Sequence, residues 1–95
     1  MKIFISIASY QDPLLKATID SAFNKADCPE NLIFGICDQS NEPLDTESFS
    51  FSDQIKCEHI DPKISEGPCW ARKRVQHFYN NEDYYFQIDS HMQFE

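Results

Sequence analysis

Two short runs, "KIFISIAS" at residues 2–9 and "LIFGICD" at residues 32–38, constrain this chain more than any other feature. Both have the length of a strand and are almost continuously apolar. A strand that faces water on one side alternates between polar and apolar residues; one covered on both sides does not. Each run therefore predicts a strand buried between two layers, and such strands belong to parallel sheets with helices packed on their faces.

The rest of the chain fits that scheme. Asp12-Pro13 offers an N-cap acceptor followed by proline at a first helical position. Leu15, Ile19, Ala22, Phe23 and Ala26 then recur at helical spacing. "CPEN" ends this helix, because the residue before a proline is pushed out of the helical region. Residues 39–54, "QSNEPLDTESFSFSDQ", are polar and without period, which predicts a long surface loop. "IKCEHID" at residues 55–61 alternates and predicts a third, half-buried strand. Gly67-Pro68 opens a second helix with Ala71, Val75, Phe78 and Tyr79 on one face, and "YYFQID" is the fourth strand. Strand–helix–strand–strand–helix–strand implies an α/β fold with a mainly parallel sheet.

Composition narrows the function classes. Ninety-five residues make a single domain, and a net charge of −8 argues against a nucleic-acid or anionic-membrane surface. Cys28, Cys37, Cys57 and Cys69 form no C-x-x-C pair, and two of them fall in apolar runs. They are expected to be reduced, mostly buried thiols. The opening "MKIFISIASY" is too short to span a membrane and suits a strand better than a signal segment, so no membrane segment and a cytoplasmic location are expected.

In an open parallel sheet, ligands bind beyond the carboxyl ends of the strands. The residues there are Ser9, Tyr10, Gln11 and Asp12 after the first strand, Asp38, Gln39 and Ser40 after the second, and Asp89, Ser90 and His91 after the fourth. Residues two apart on an extended chain point the same way, so Asp89 and His91 can converge on one divalent cation, manganese being one that accepts both ligand types. A lone D-x-H is also what a solvated strand end looks like. A second signal stands beside it: Arg72, Lys73 and Arg74 fall in the first turns of the second helix, where anions are favoured. Arg72 is nearest the Gly-Pro opening and is the expected phosphate contact. Trp70 suits packing and a sugar or base platform equally, and His59 and His77 carry no functional expectation.

The stretches "IFISIASYQDP", "LIFGICDQ", "GPCWARKRVQHFY" and "EDYYFQIDSHMQF" resemble the N-terminal half of the hydroxyproline-directed N-acetylglucosaminyltransferase family, and only residues 39–54 fall outside the likeness. The resemblance implies a Rossmann-like GT-A sheet and metal-dependent transfer of N-acetylglucosamine from UDP-GlcNAc to an acceptor hydroxyl, on hydroxyproline or a glycan. It implies that Asp89-Ser90-His91 is a variant of the D-x-D motif, with Asp89 and His91 on manganese. By the same likeness Ser9, Tyr10 and Asp12 line the nucleotide pocket, Asp38 faces the uracil, and Arg72, Asp89 and Ser90 lie at the donor. GT-A enzymes keep the acceptor site and any catalytic base in a further half. Residues 1–95 therefore read as the donor-binding half, a truncated half-domain expected to be inactive alone and to self-associate as a homodimer through the open flank of the fourth strand. The alternatives are a non-catalytic UDP-sugar-binding module and a structural or interaction role.

Overall fold

The computed structural model describes residues 2–89, with the side chains of Pro68 and Asp89 excepted. Four strands, β1 (Ile3–Tyr10), β2 (Leu32–Gln39), β3 (Ile55–Ile60) and β4 (Tyr84–Asp89), form one sheet in the order β3-β2-β1-β4, every pair parallel. Two α-helices, α1 (Leu15–Lys25) and α2 (Pro68–Gln76), cover it. The order corresponds to the first four strands of the doubly wound Rossmann arrangement, whose direction of winding reverses between the first and fourth strands. The α/β fold expected from the sequence is the fold found.

Alternation along the strands sorts the core into two layers. Ile5, Ile7, Phe34 and Ile36 face α1, where Leu15, Ile19 and Ala22 are buried against them. Phe4 and Cys37 face the other way, where Ala71 and Val75 of α2 complete a second cluster with Ile60. Gly35 belongs to that second face. A Cβ built there would overlap the Phe4 ring, so glycine leaves the room the ring occupies. Gly67 has another reason: its φ of 102° just before α2 is one that residues with a Cβ rarely adopt.

Several expectations from the sequence need correction. Helix α1 begins at Leu15 with Leu14 as its N-cap, not at Pro13 behind Asp12. The Asp12 carboxylate still accepts from a backbone donor, the Leu14 N–H at 2.9 Å, so its bond closes a turn ahead of the helix. The loop of residues 39–54 is not all surface: Phe49 and Phe51 are buried in the α1 layer, and Phe51 stacks on Phe23 with ring centroids 3.7 Å apart. A stripe of apolar surface on α1 and β2 needed a cover, and two aromatics in a polar loop supply it. Phe78 and Tyr79 follow α2 instead of extending its face, and Tyr79 meets Phe4 edge-on at 5.6 Å. The open flank expected at the fourth strand is present: β4 is an edge among the described residues, and its Tyr84 and Phe86 are 51% and 54% exposed.

All four cysteines are free, but only Cys37 is fully buried; Cys28 and Cys69 are exposed, against the expectation of mostly buried thiols. Burial, helped by the nearby Glu58 carboxylate, pushes the Cys37 thiol up to about 11, and burial followed by Asp38 pushes Cys57 to about 12. The folded chain therefore binds more protons than the unfolded one above the ordinary thiol value, and stability should fall as pH rises from about 9 to about 12. Thiolate, not thiol, is the nucleophile. A disulfide reagent at pH 8 should titrate Cys28 and Cys69 rapidly and reach Cys37 and Cys57 only in denaturant; rapid labelling of all four in the folded chain would contradict this burial. Among the described residues, no helix is long and apolar enough to cross a membrane.

Candidate functional site

A parallel sheet brings the carboxyl ends of its strands to one rim, and each following helix starts there. Here β1, β2 and the backbone of β4 end together with the N-termini of α1 and α2 close behind. Ser9 and Asp38 are register partners on adjacent strands, and Asp89 pairs with Ala8. The chain reverses its winding between β1 and β4, where the crevice of a doubly wound sheet lies.

A cleft of about 360 Å³ opens at this rim between α1 and the β2 end, lined by Gln11, Asp12, Lys16, Asp38, Glu42 and Leu44 among others. Two residues assigned from the sequence, Asp12 and Asp38, meet in it. Asp38 is 3% exposed, and its Oδ2 accepts from the Leu44 N–H at 2.8 Å, folding the loop after β2 over the cleft. Gln11 enters the turn with φ of 47°, an unusual conformation for a residue with a Cβ, and its N–H donates to the Gln39 carbonyl at 2.8 Å. Three carboxylates and one ammonium line the cleft, from Asp12, Asp38, Glu42 and Lys16. That balance repels a phosphate and suits an uncharged group rich in hydrogen-bonding edges.

Ser9 is 1% exposed, and its hydroxyl has no hydrogen-bond partner among the described residues. It lies behind the cleft and does not line it. Tyr10, 56% exposed, stands outside the cleft as well. Lys16, Glu42 and Leu44 were not singled out from the sequence. Lys16 stands in the first turn of α1, just after the turn that Asp12 closes; nothing local marks Glu42 or Leu44.

The basic cluster divides its work. Arg74 makes a two-point ion pair with Glu58, its Nε to Oε1 and its Nη2 to Oε2 at 2.9 Å, and its guanidinium lies 5.2 Å from the centre of the Trp70 ring. The hydrogen bond from Arg74 holds the Glu58 carboxyl below the usual carboxylate range, and the same bond raises Arg74. Trp70 is thus occupied in packing on the α2 cluster and under Arg74. Lys73 is exposed. Arg72 is half-buried, has no ion pair among the described residues, and lies about 6 Å along the axis from the start of α2. Helical side chains lean toward the N-terminus, which directs Arg72 to the rim. His59 Nε2 donates to the Ser40 carbonyl at 2.7 Å and His77 is an exposed helix end, both consistent with no role at the site.

Ser90 and His91 lie outside the described residues, as does the side chain of Asp89. Among the described residues, no three His, Cys, Asp or Glu side chains are grouped to hold a metal ion.

A family model described as Glycosyltransferase (GlcNAc) matches the chain in two overlapping stretches, residues 2–50 and 42–95. No curated protein and no solved structure matches it.

Proposed function

The chain belongs to the Glycosyltransferase (GlcNAc) family, and from that premise we propose that its carboxyl rim holds the UDP-GlcNAc donor of a glycosyltransferase. The family carries a transferase role and a nucleotide-sugar donor; the placement of that donor is the proposal. The uracil and ribose occupy the cleft of Asp12 and Asp38, whose carboxylates accept from the base N–H and the ribose hydroxyls. The diphosphate lies toward the N-terminus of α2 and Arg72, because the acidic cleft excludes it. Ser9, buried at the end of β1, and the exposed Tyr10 beside it would lie between the two without lining the cleft.

The observation that carries this reading is the division of charge along one rim: three carboxylates at the α1 end, and at the α2 end a helix N-terminus with an arginine that has no ion pair among the described residues. In the transfer, the bond between the sugar C1 and the β-phosphate oxygen breaks, UDP leaves with the electron pair, and the acceptor oxygen bonds to C1 as its proton passes to a base. Asp89 and His91 would hold a manganese ion, with Ser90 beside the donor. That ion would supply positive charge against the departing diphosphate. Support for this comes from the D-x-H spacing and from the position of the Asp89 backbone beside Ala8, at the reversal point of the sheet.

Calorimetric titration with UDP tests the reading. Affinity should be at least about tenfold higher with manganese than with chelator. Asp89→Ala should abolish that difference and His91→Ala should reduce it. Equal affinity under both conditions would remove the ion from the proposal, and no UDP binding under either would remove the donor site.

A further inference from the structure

Gln39 ends β2 with a side chain that is buried, at 3% exposure, although an apolar residue would bury there at less cost. Both ends of its amide are engaged. Its Nε2 donates to the Ser9 carbonyl at 2.9 Å, and its Oε1 accepts from the Ser65 hydroxyl. The Ser65 oxygen in turn accepts, at 3.4 Å, from the N–H of Gly67, the residue that caps α2. The Gln39 backbone carbonyl takes the Gln11 N–H at 2.8 Å. One residue therefore ties together the end of β1, the turn that lines the cleft, and the segment that leads into α2. These are the two halves of the rim.

We propose that Gln39 is a positioning residue that sets the N-terminus of α2, and with it Arg72, at a fixed separation from the Asp12–Asp38 cleft. This rests on the donor reading above. A nucleoside diphosphate spans both halves, so its base and phosphates can be held together only if that separation is kept. A nucleoside without phosphates occupies the cleft alone and does not sense it. The amide suits the task because it offers a donor to one segment and an acceptor to the other, in one rigid plane.

The experiment compares uridine with UDP in the same manganese buffer, for the 95-residue chain and for Gln39→Leu, Gln39→Glu and Ser65→Ala. The readout is the factor by which UDP binds more tightly than uridine. Losing the link should cut that factor about five- to tenfold in Gln39→Leu and Ser65→Ala, the worth of one hydrogen bond, while uridine affinity stays within about twofold. Gln39→Glu should lose the factor at pH 8. It should regain it toward pH 5 relative to the unsubstituted chain, since a protonated carboxyl restores one donor and one acceptor. Ser65→Ala leaves the core intact and carries the test if Gln39→Leu fails to fold. A factor unchanged in Ser65→Ala, or uridine and UDP weakened equally, overturns the positioning role. Absence of UDP binding in the unsubstituted chain would instead overturn the donor reading, and this inference with it.

Discussion

Phe34→Ala should remove about 3–5 kcal/mol of stability, a large share of the roughly 5–15 kcal/mol that a domain of this size possesses. Phe34 is fully buried at the centre of β2, an inner strand of the sheet. Its ring fills the α1 layer among Ile5, Ile7, Ile19 and Ile36, and meets Phe51 at 5.9 Å. Truncation loses the transfer energy of the ring and leaves a cavity that two rows of β-branched residues cannot collapse to fill. In urea, the midpoint should fall sharply with little change in slope. Phe86→Ala serves as the control: the same atoms are removed, but from a side chain 54% exposed on β4, and the expected change is within about 0.5 kcal/mol. A Phe34→Ala cost below about 1 kcal/mol would mean that the α1 layer is not the core that holds the sheet.

Among the three adjacent cations, Arg72→Ala should weaken UDP binding most, by about tenfold to a hundredfold. Charge-assisted bonds to phosphate are worth roughly 1.5–3 kcal/mol, and a guanidinium offers two of them in one plane. Arg74→Ala should act on stability instead, since its guanidinium is held by Glu58 and lies on Trp70. That pair is more than a third exposed on both sides and screened by solvent, so the loss should be small. Lys73→Ala, at an exposed position, should change neither. Nucleotide titration and urea unfolding of the three variants separate these outcomes. If Arg74→Ala or Lys73→Ala weakens binding more than Arg72→Ala, the phosphate contact has been assigned to the wrong residue.

The site was legible in part, and for identifiable reasons. Asp12 and Asp38 could be named because strand ends in a parallel sheet must come to one rim, whatever the order of the strands. The choice of Arg72 over Arg74 rested on its nearness to Gly67 and on the family likeness. The Glu58 pair that commits Arg74 joins residues 16 apart in sequence, and no local pattern announces it. Gln39 was visible as the end of an apolar run, but its partners Ser9 and Ser65 lie 30 and 26 residues away.

What the sequence by itself determined is the local geometry: which stretches extend, which coil, and which strands are covered on both faces. Those properties follow from the spacing of apolar residues and from proline and glycine, which act over a few neighbours. The family likeness across residues 2–95 belongs to the same legible part. Tertiary structure alone decided that β4 lies beside β1, that Phe49 and Phe51 leave a polar loop for the core, and that Asp12 closes a turn instead of capping α1. Each of these depends on burying surface contributed by distant segments: β1 and β4 pair Ile3 with Tyr84 across some 80 residues. Periodicity states that a face must be covered, but the segment that covers it is chosen by the balance of burial over the whole chain.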